Sequence, residues 1–300
     1  MNTVDAFEQD ILYQPDFLRS FEPPKPMSER MQKRSVFCGS GDSLSAAMLA
    51  ESFSGHLVRS SDPLDIIQDG RIVKDRRLYL VSVSGNTVSN IRAARTAASI
   101  AVTAAPGSRL ARACSETILL SYPSSGVFTA GSVSFLASAL TCISLVTRIR
   151  IPDARRMLDS ARRAASGCGI SGNVFVLGDS LTFPVAAYCS AKFYEVLGRV
   201  SQYERVEQFS HMGLFSARPG DTVLIFAEPA GYGRRLAANL RGLGLNVILP
   251  APGRDRIRRL LYLTFFSQFL VLAQARSEGL RECHFVSARR VRDASSAMIY

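Results

Sequence analysis

The chain has 300 residues, 47% of them hydrophobic and 20% charged, and a formal charge of +11. That length suits about two domains, and that balance excludes a disordered or fibrous chain. The basic excess is almost all arginine, Lys25, Lys33, Lys74 and Lys192 being the lysines; it is scattered rather than gathered into an arm, so small phosphorylated molecules are the expected anions and nucleic acid is not an expected partner.

Residues 1–34 read as a helix followed by an irregular strap carrying Pro23, Pro24 and Pro26. From Ser35 short β-prone runs alternate with helical ones, the grammar of an α/β domain with a parallel sheet. Strands are expected at Ser35–Cys38, His56–Arg59, Leu78–Val83, Ser99–Thr103 and Thr117–Ser121. Helices are expected at Leu44–Phe53, Val88–Ala97, Ser108–Cys114 and Ser132–Thr147. Residues 117–147 carry no charge, but only Val133 to Val146 is densely apolar, which is the length of a buried helix rather than a membrane span. Arg148 to Pro152 breaks the pattern, and 153–167 reads as a linking helix. The grammar then restarts: strands at Asn173–Leu177, Thr222–Ala227 and Leu245–Leu249, helices at Phe183–Leu197, Tyr232–Leu243 and Leu260–Ala275. The last is too short to span a bilayer, so no membrane association is expected.

The restart reads as an internal repeat. VFCGSGDSL at 36–44 and VFVLGDSL at 174–181 share V-F and G-D-S-L, and YLVSVSGNT at 79–87 holds the place of VLIFAEPAG at 223–231. The expected domains are 35–152 and 153–285, between the lead 1–34 and a tail 286–300. The six cysteines form no C-x-x-C pair and no zinc spacing with histidine. They read as small buried hydrophobes of a cytoplasmic protein, and no metal is expected. The acidic N-terminus lacks the apolar core of a signal peptide.

Ser82-Val83-Ser84-Gly85-Asn86-Thr87 follows a β-run and opens a helix. Amides at a helix start are unpaired and suit an anion, Gly85 permits close backbone approach, and the hydroxyls of Ser82, Ser84 and Thr87 add donors without charge. The same residue types are also favoured simply as helix caps. A second turn, Gly39-Ser40-Gly41-Asp42-Ser43, ends another strand, at the sheet edge where open α/β folds bind ligands; residues 124–129 could form a third wall. A dinucleotide site fits badly, because G-x-G-x-x-G is absent and no acidic residue closes the expected strand His56–Arg59; no cofactor is expected.

In the second half Lys192 and Glu195 lie three apart on one helix face, with Tyr188 one turn earlier. Such a pair is ordinarily solvated. His211 follows sixteen residues after Glu195, in E-Q-F-S-H. Aldose–ketose isomerisation needs a base that moves a proton between adjacent carbons through an enediol, which a tuned carboxylate supplies, and an acid–base group for ring opening, which a histidine supplies. Glu195 and His211 suit these tasks, with Lys192 orienting Glu195 or binding the sugar. His56 and His284 read as structural.

V-S-V-S-G-N-T before a helix, G-S-G-D-S after an earlier strand, and A-K-F-Y-E with E-Q-F-S-H beyond it resemble the sugar isomerase (SIS) domain family. Residues 35–285 resemble its tandem members, among them the isomerase part of glucosamine-6-phosphate synthase, sugar-phosphate deaminases and deglycases, and the phosphoglucose/phosphomannose isomerases. The resemblance implies two three-layer αβα units in tandem, each with a mainly parallel sheet. It implies a sugar phosphate or amino sugar phosphate held by Ser82, Ser84, Gly85, Asn86 and Thr87, with Ser40, Gly41 and Thr129. Glu195 would be the base and His211 the ring-opening group, shared across a homodimer. Departures narrow the expectation. There is no N-terminal cysteine of a glutamine-hydrolysing domain. No lysine follows Lys192, where many relatives carry one over the active site, and an arginine such as Arg289, Arg290 or Arg292 cannot replace it in a Schiff base. Phe128 stands where the phosphoglucose/phosphomannose enzymes carry a basic residue. The expected function is aldose–ketose isomerisation of a hexose or hexosamine phosphate. The alternatives are deamination or deglycation of an amino sugar phosphate, and a non-catalytic sugar-phosphate regulator.

Overall fold

The computed structural model describes residues 1–227 and 231–300. The chain divides into two compact units, one of Ser20–Pro123, Gly131–Arg150 and Arg289–Tyr300, the other of Met1–Arg19, Ser124–Ala130 and Ile151–Ala288. Each is built on one parallel sheet, so the α/β reading holds.

In the first unit β1 (Ser35–Cys38), β2 (Arg59–Ser61), β3 (Arg77–Val81), β4 (Ser99–Thr103) and β5 (Glu116–Leu119) lie in the order β2-β1-β3-β4-β5. All pairings are parallel, with Phe37 opposite Tyr79 and Tyr79 opposite Ile100. Strands buried on both faces need continuous apolar runs. Val36, Cys38, Leu78, Leu80 and Ala101 face a core closed by Ile66, Ile91 and Leu110 from three short helices. By alternation Phe37 and Tyr79 stack on the other face, ring centroids 4.8 Å apart. The uncharged stretch supplies the helix Val133–Ser144, nearly all of it buried.

In the second unit β6 (Val174–Gly178), β7 (Ser201–Arg205), β8 (Thr222–Ile225) and β9 (Asn246–Ile248) lie in the order β7-β6-β8-β9, again parallel throughout. Its core helix Arg256–Ser277 is longer than the expected Leu260–Ala275 and is buried along most of its length. Among the described residues no helix is long and apolar enough to cross a membrane.

Several expectations shift. β2 begins at Arg59, because His56 turns the chain at φ +65 and cannot extend a strand. β2 is then followed at once by Asp62, so an acidic residue does close that strand; its carboxylate is spent on capping the next helix through the Leu64 amide, at 2.8 Å. The case against a dinucleotide site therefore rests on the missing glycine pattern alone. The tail 286–300 contains a helix, Arg289–Ile299. β7 and the helix Pro63–Gln68 have no counterpart among the expected elements. Of the stretch 223–231, residues 228–230 lie outside the described residues.

Candidate functional site

In the order β2-β1-β3-β4-β5 the connections diverge at β1 and β3, and open α/β sheets bind ligands outside the carboxyl ends of the strands at such a point. The turns 39–43 and 82–87 leave those two carboxyl ends. Both are shaped by backbone demands. Gly41 adopts φ +57, ψ −129, and a Cβ on Gly39 would lie 2.8 Å from the Ser43 backbone. Gly85 has φ +62, and a Cβ there would fall 2.1 Å from the Ser108 hydroxyl.

The second turn gathers hydroxyls. The Ser82 hydroxyl accepts the Gly85 N–H at 3.2 Å and lies 3.4 Å from Thr87 Oγ1, while Ser84 Oγ accepts the Asn86 N–H at 3.4 Å. Ser82 and Gly85 are buried, Asn86 and Thr87 half-buried, and Ser84 and Ser40 exposed, so the turn opens to solvent through Ser84. Such an array can donate to an anion from neutral groups.

The second unit carries the carboxylate. The expected single helix Phe183–Leu197 is two segments: an α-helix Phe183–Lys192 and a π-helical turn Phe193–Leu197. π turns in helices are frequent at functional sites. This one buries Phe193, Val196 and Leu197 and leaves Glu195 half-exposed. Gly198 ends it in the left-handed region, and the Arg199 N–H reaches back to the Phe193 carbonyl at 3.1 Å. No side chain fits at 198, because the His284 ring lies 2.5 Å from where its Cβ would be.

Lys192 is not solvated. Its side chain is fully buried, with Nζ 2.5 Å from Glu195 Oε2 and 4.8 Å from the Tyr188 ring centroid. A buried ammonium persists only with an anionic partner, so the pair fixes where the carboxylate stands. The network continues inward: Gln268 donates to the Tyr188 hydroxyl at 2.9 Å, and Gln14 donates to Gln268 at 2.6 Å. Gln268 and Gln14 are separated by 254 positions, and neither they nor His284 carried a local signal.

His211 ends the helix Val206–His211, exposed, with Nε2 3.4 Å from Glu207 Oε1. Thr129 belongs to the unit that carries Glu195. Its hydroxyl donates to the Thr3 carbonyl at 2.7 Å and lies 3.6 Å from Cys283 Sγ. Among the described residues no group of His, Cys, Asp and Glu could hold a metal ion.

In the second sheet the corresponding crevice is occupied from within. Arg259 donates to Asp179, beyond β6, at 2.8 Å and to the Phe226 carbonyl, beyond β8, at 3.1 Å. The other Asp179 oxygen accepts the Leu181 and Thr182 amides, each at 3.1 Å.

No family model matches the chain, and no curated protein matches its sequence. Solved structures match over nearly its whole length. A glucosamine-6-phosphate deaminase of Thermotoga maritima matches with a TM-score of 0.73 at 18% identity, covering 93% of this chain and 95% of that one. The C-terminal domain of glucosamine-fructose-6-phosphate aminotransferase from Francisella tularensis gives 0.70 at 15%, covering 93% and 97%. A tagatose-6-phosphate ketose/aldose isomerase of Escherichia coli gives 0.65 at 15%, covering 93% and 92%. At these identities the likeness is one of fold, and the sugar isomerase fold that the motifs implied is the fold of this chain.

Proposed function

We propose that the chain is a sugar-phosphate isomerase acting on a hexose or hexosamine phosphate. The observation that carries the reading is the half-exposed Glu195 on a π turn, held by a fully buried Lys192. In this reading the hydroxyls of Ser82, Ser84 and Thr87, with Gly85, Asn86 and the Ser40-Gly41 turn, take the phosphate dianion. Glu195 removes the proton from the carbon next to the carbonyl and returns it to the neighbouring carbon, with an enediol between. The proton stays on the carboxyl group in the interval, so no redox partner is needed. Lys192 is a positioning residue that keeps the carboxylate on one rotamer. Thr129, whose hydroxyl is engaged by Thr3, acts by shaping the segment 124–130.

His211 opens the sugar ring, in a homodimer whose active site is shared. Exposed Met212 and Phe215 beside it support a surface that a second copy covers. Glu195→Gln keeps the shape and removes the base, so turnover of hexose phosphates falls at least about 1,000-fold while binding persists. Mixing inactive Glu195→Gln and His211→Ala proteins restores part of the activity if the site is shared. Full turnover by Glu195→Gln rejects the assignment. A second reading, deamination of an amino sugar phosphate, is favoured by the match to the Thermotoga maritima deaminase; ammonia released from glucosamine 6-phosphate selects it.

A further inference from the structure

At the amino-terminal edge of the first sheet lies a groove of about 710 Å³, within the roughly 300–1,000 Å³ of small-molecule sites. It sits at the starts of β1 and β3, the end of the strands away from the Ser82–Thr87 turn. Five residues of β3 at about 3.3 Å each separate the two places by roughly 17 Å. Arg30, Arg34, Lys74, Arg76 and Arg77 line the groove, and Asp75 is its single acidic residue.

Among the described residues, four of these cations have no carboxylate within ion-pair distance. Among the described residues only Arg77 lies within ion-pair distance of one, Glu116 at 3.7 Å. The bland account is that the cations face helix carboxyl ends, where partial negative charge collects. The helical segments bounding the groove are too short to explain them, Glu29–Gln32 and Gly70–Val73 with four residues and Val88–Ala93 with six.

The backbone holds Arg34 in place. Asp75 adopts φ +57, an uncommon conformation for a residue with a side chain. Its carbonyl accepts the Arg34 Nε–H at 3.1 Å, which turns Arg34 across the groove. Converging unpaired cations raise the local potential and draw anions, and guanidinium forks bind phosphate oxygens with charge-assisted bonds. Met31, Val73 and Ala97 give the groove an apolar floor. Among the described residues no aromatic side chain lines it for stacking bases.

From this convergence we infer that the groove binds a small anion with two or more adjacent phosphates, at a site separate from the Ser82–Thr87 turn. A phosphate dianion would balance two of the four cations without a carboxylate partner, whereas a pyrophosphate engages more of them at once.

Calorimetric titration with pyrophosphate and tripolyphosphate at about 50 mM salt tests it. One equivalent per chain is expected, with tripolyphosphate the tighter. Arg34→Gln/Lys74→Gln weakens both at least about 10-fold, while Ser84→Ala leaves them unchanged. Lys74→Gln alone, at an exposed position, gives a smaller loss and serves if the double variant does not fold by its melting curve. The inference is overturned if the groove variants bind as the unaltered protein does, or if Ser84→Ala abolishes binding, which places the anion at the turn. It is equally overturned if a 12-nucleotide RNA outcompetes tripolyphosphate and the groove variants lose that RNA, since the groove is then a nucleic-acid surface.

Discussion

Gly85 shows how much one residue can specify. Its φ of +62 is open to glycine, and the Ser108 hydroxyl occupies the space a Cβ would need. Gly85→Ala is expected to cost about 3 kcal/mol, from backbone strain plus overlap, and to weaken sugar-phosphate binding. Urea denaturation checks the first and a thermal-shift titration with a hexose phosphate the second; a loss below about 1 kcal/mol contradicts the packing. The need for glycine was legible as turn chemistry, but the reason was not, since Ser108 lies on another strand-to-helix connection. Lys192 and Glu195 were likewise legible as a helix-face pair, and their spacing predicted an ordinary solvated contact. Lys192 is withdrawn from water with its ammonium against the Tyr188 ring, whose hydroxyl Gln268 holds, and spacing does not reveal that.

Elements were legible where burial is two-sided. Ser35–Cys38 and Ser99–Thr103 lie inside the first sheet, are buried along their length with apolar residues in the middle, and fall where expected. β7, Ser-Gln-Tyr-Glu-Arg, is an edge strand with most side chains outside, so no apolar run marks it. The π turn is equally silent, because its residues are ordinary helix formers. It ends at Gly198 under His284, and within it the Tyr194 hydroxyl donates to the Ser201 carbonyl at 2.7 Å. Asp179 joins elements in another way: its carboxylate accepts the Leu181 and Thr182 amides just before the helix Phe183–Lys192 and pairs with the buried Arg259. Asp179→Ala is therefore expected to destabilise the protein by about 2–3 kcal/mol, the low end for stranding a buried charge because Asp179 is one-third exposed. Adding Arg259→Leu should recover part of the loss in the same denaturation experiment, and no recovery would argue against the ion pair as the cause.

At the scale of the molecule, the unit carrying Glu195 is assembled from three separate stretches of chain. The joints are long-range. Asp10 accepts the Ser125 N–H at 2.6 Å, and the Thr129 hydroxyl reaches the Thr3 carbonyl. Burial pushes the Asp10 carboxyl above its ordinary 3.8, and the bonds from Ser125 offset only part of that. The folded protein thus keeps this proton to higher pH than the unfolded chain does. The contribution is fully present below 3.8 and is lost as pH rises through the folded-state value. Asp10→Asn retains an acceptor for Ser125 without the charge. Its melting temperature relative to the unaltered protein should therefore rise between pH 4 and pH 7; a flat or falling difference would contradict the burial account.

Alternation of strand and helix, the glycine-dependent turns and the pairing of Lys192 with Glu195 were written in the chain, because each depends on neighbours within a few residues. Three things came only with tertiary structure: the burial of Lys192, the seat of His284 over Gly198, and the recruitment of residues 124–130 beside the N-terminal helix. They arise from contacts between segments far apart in the chain or from water excluded by several elements together, and no local pattern encodes either.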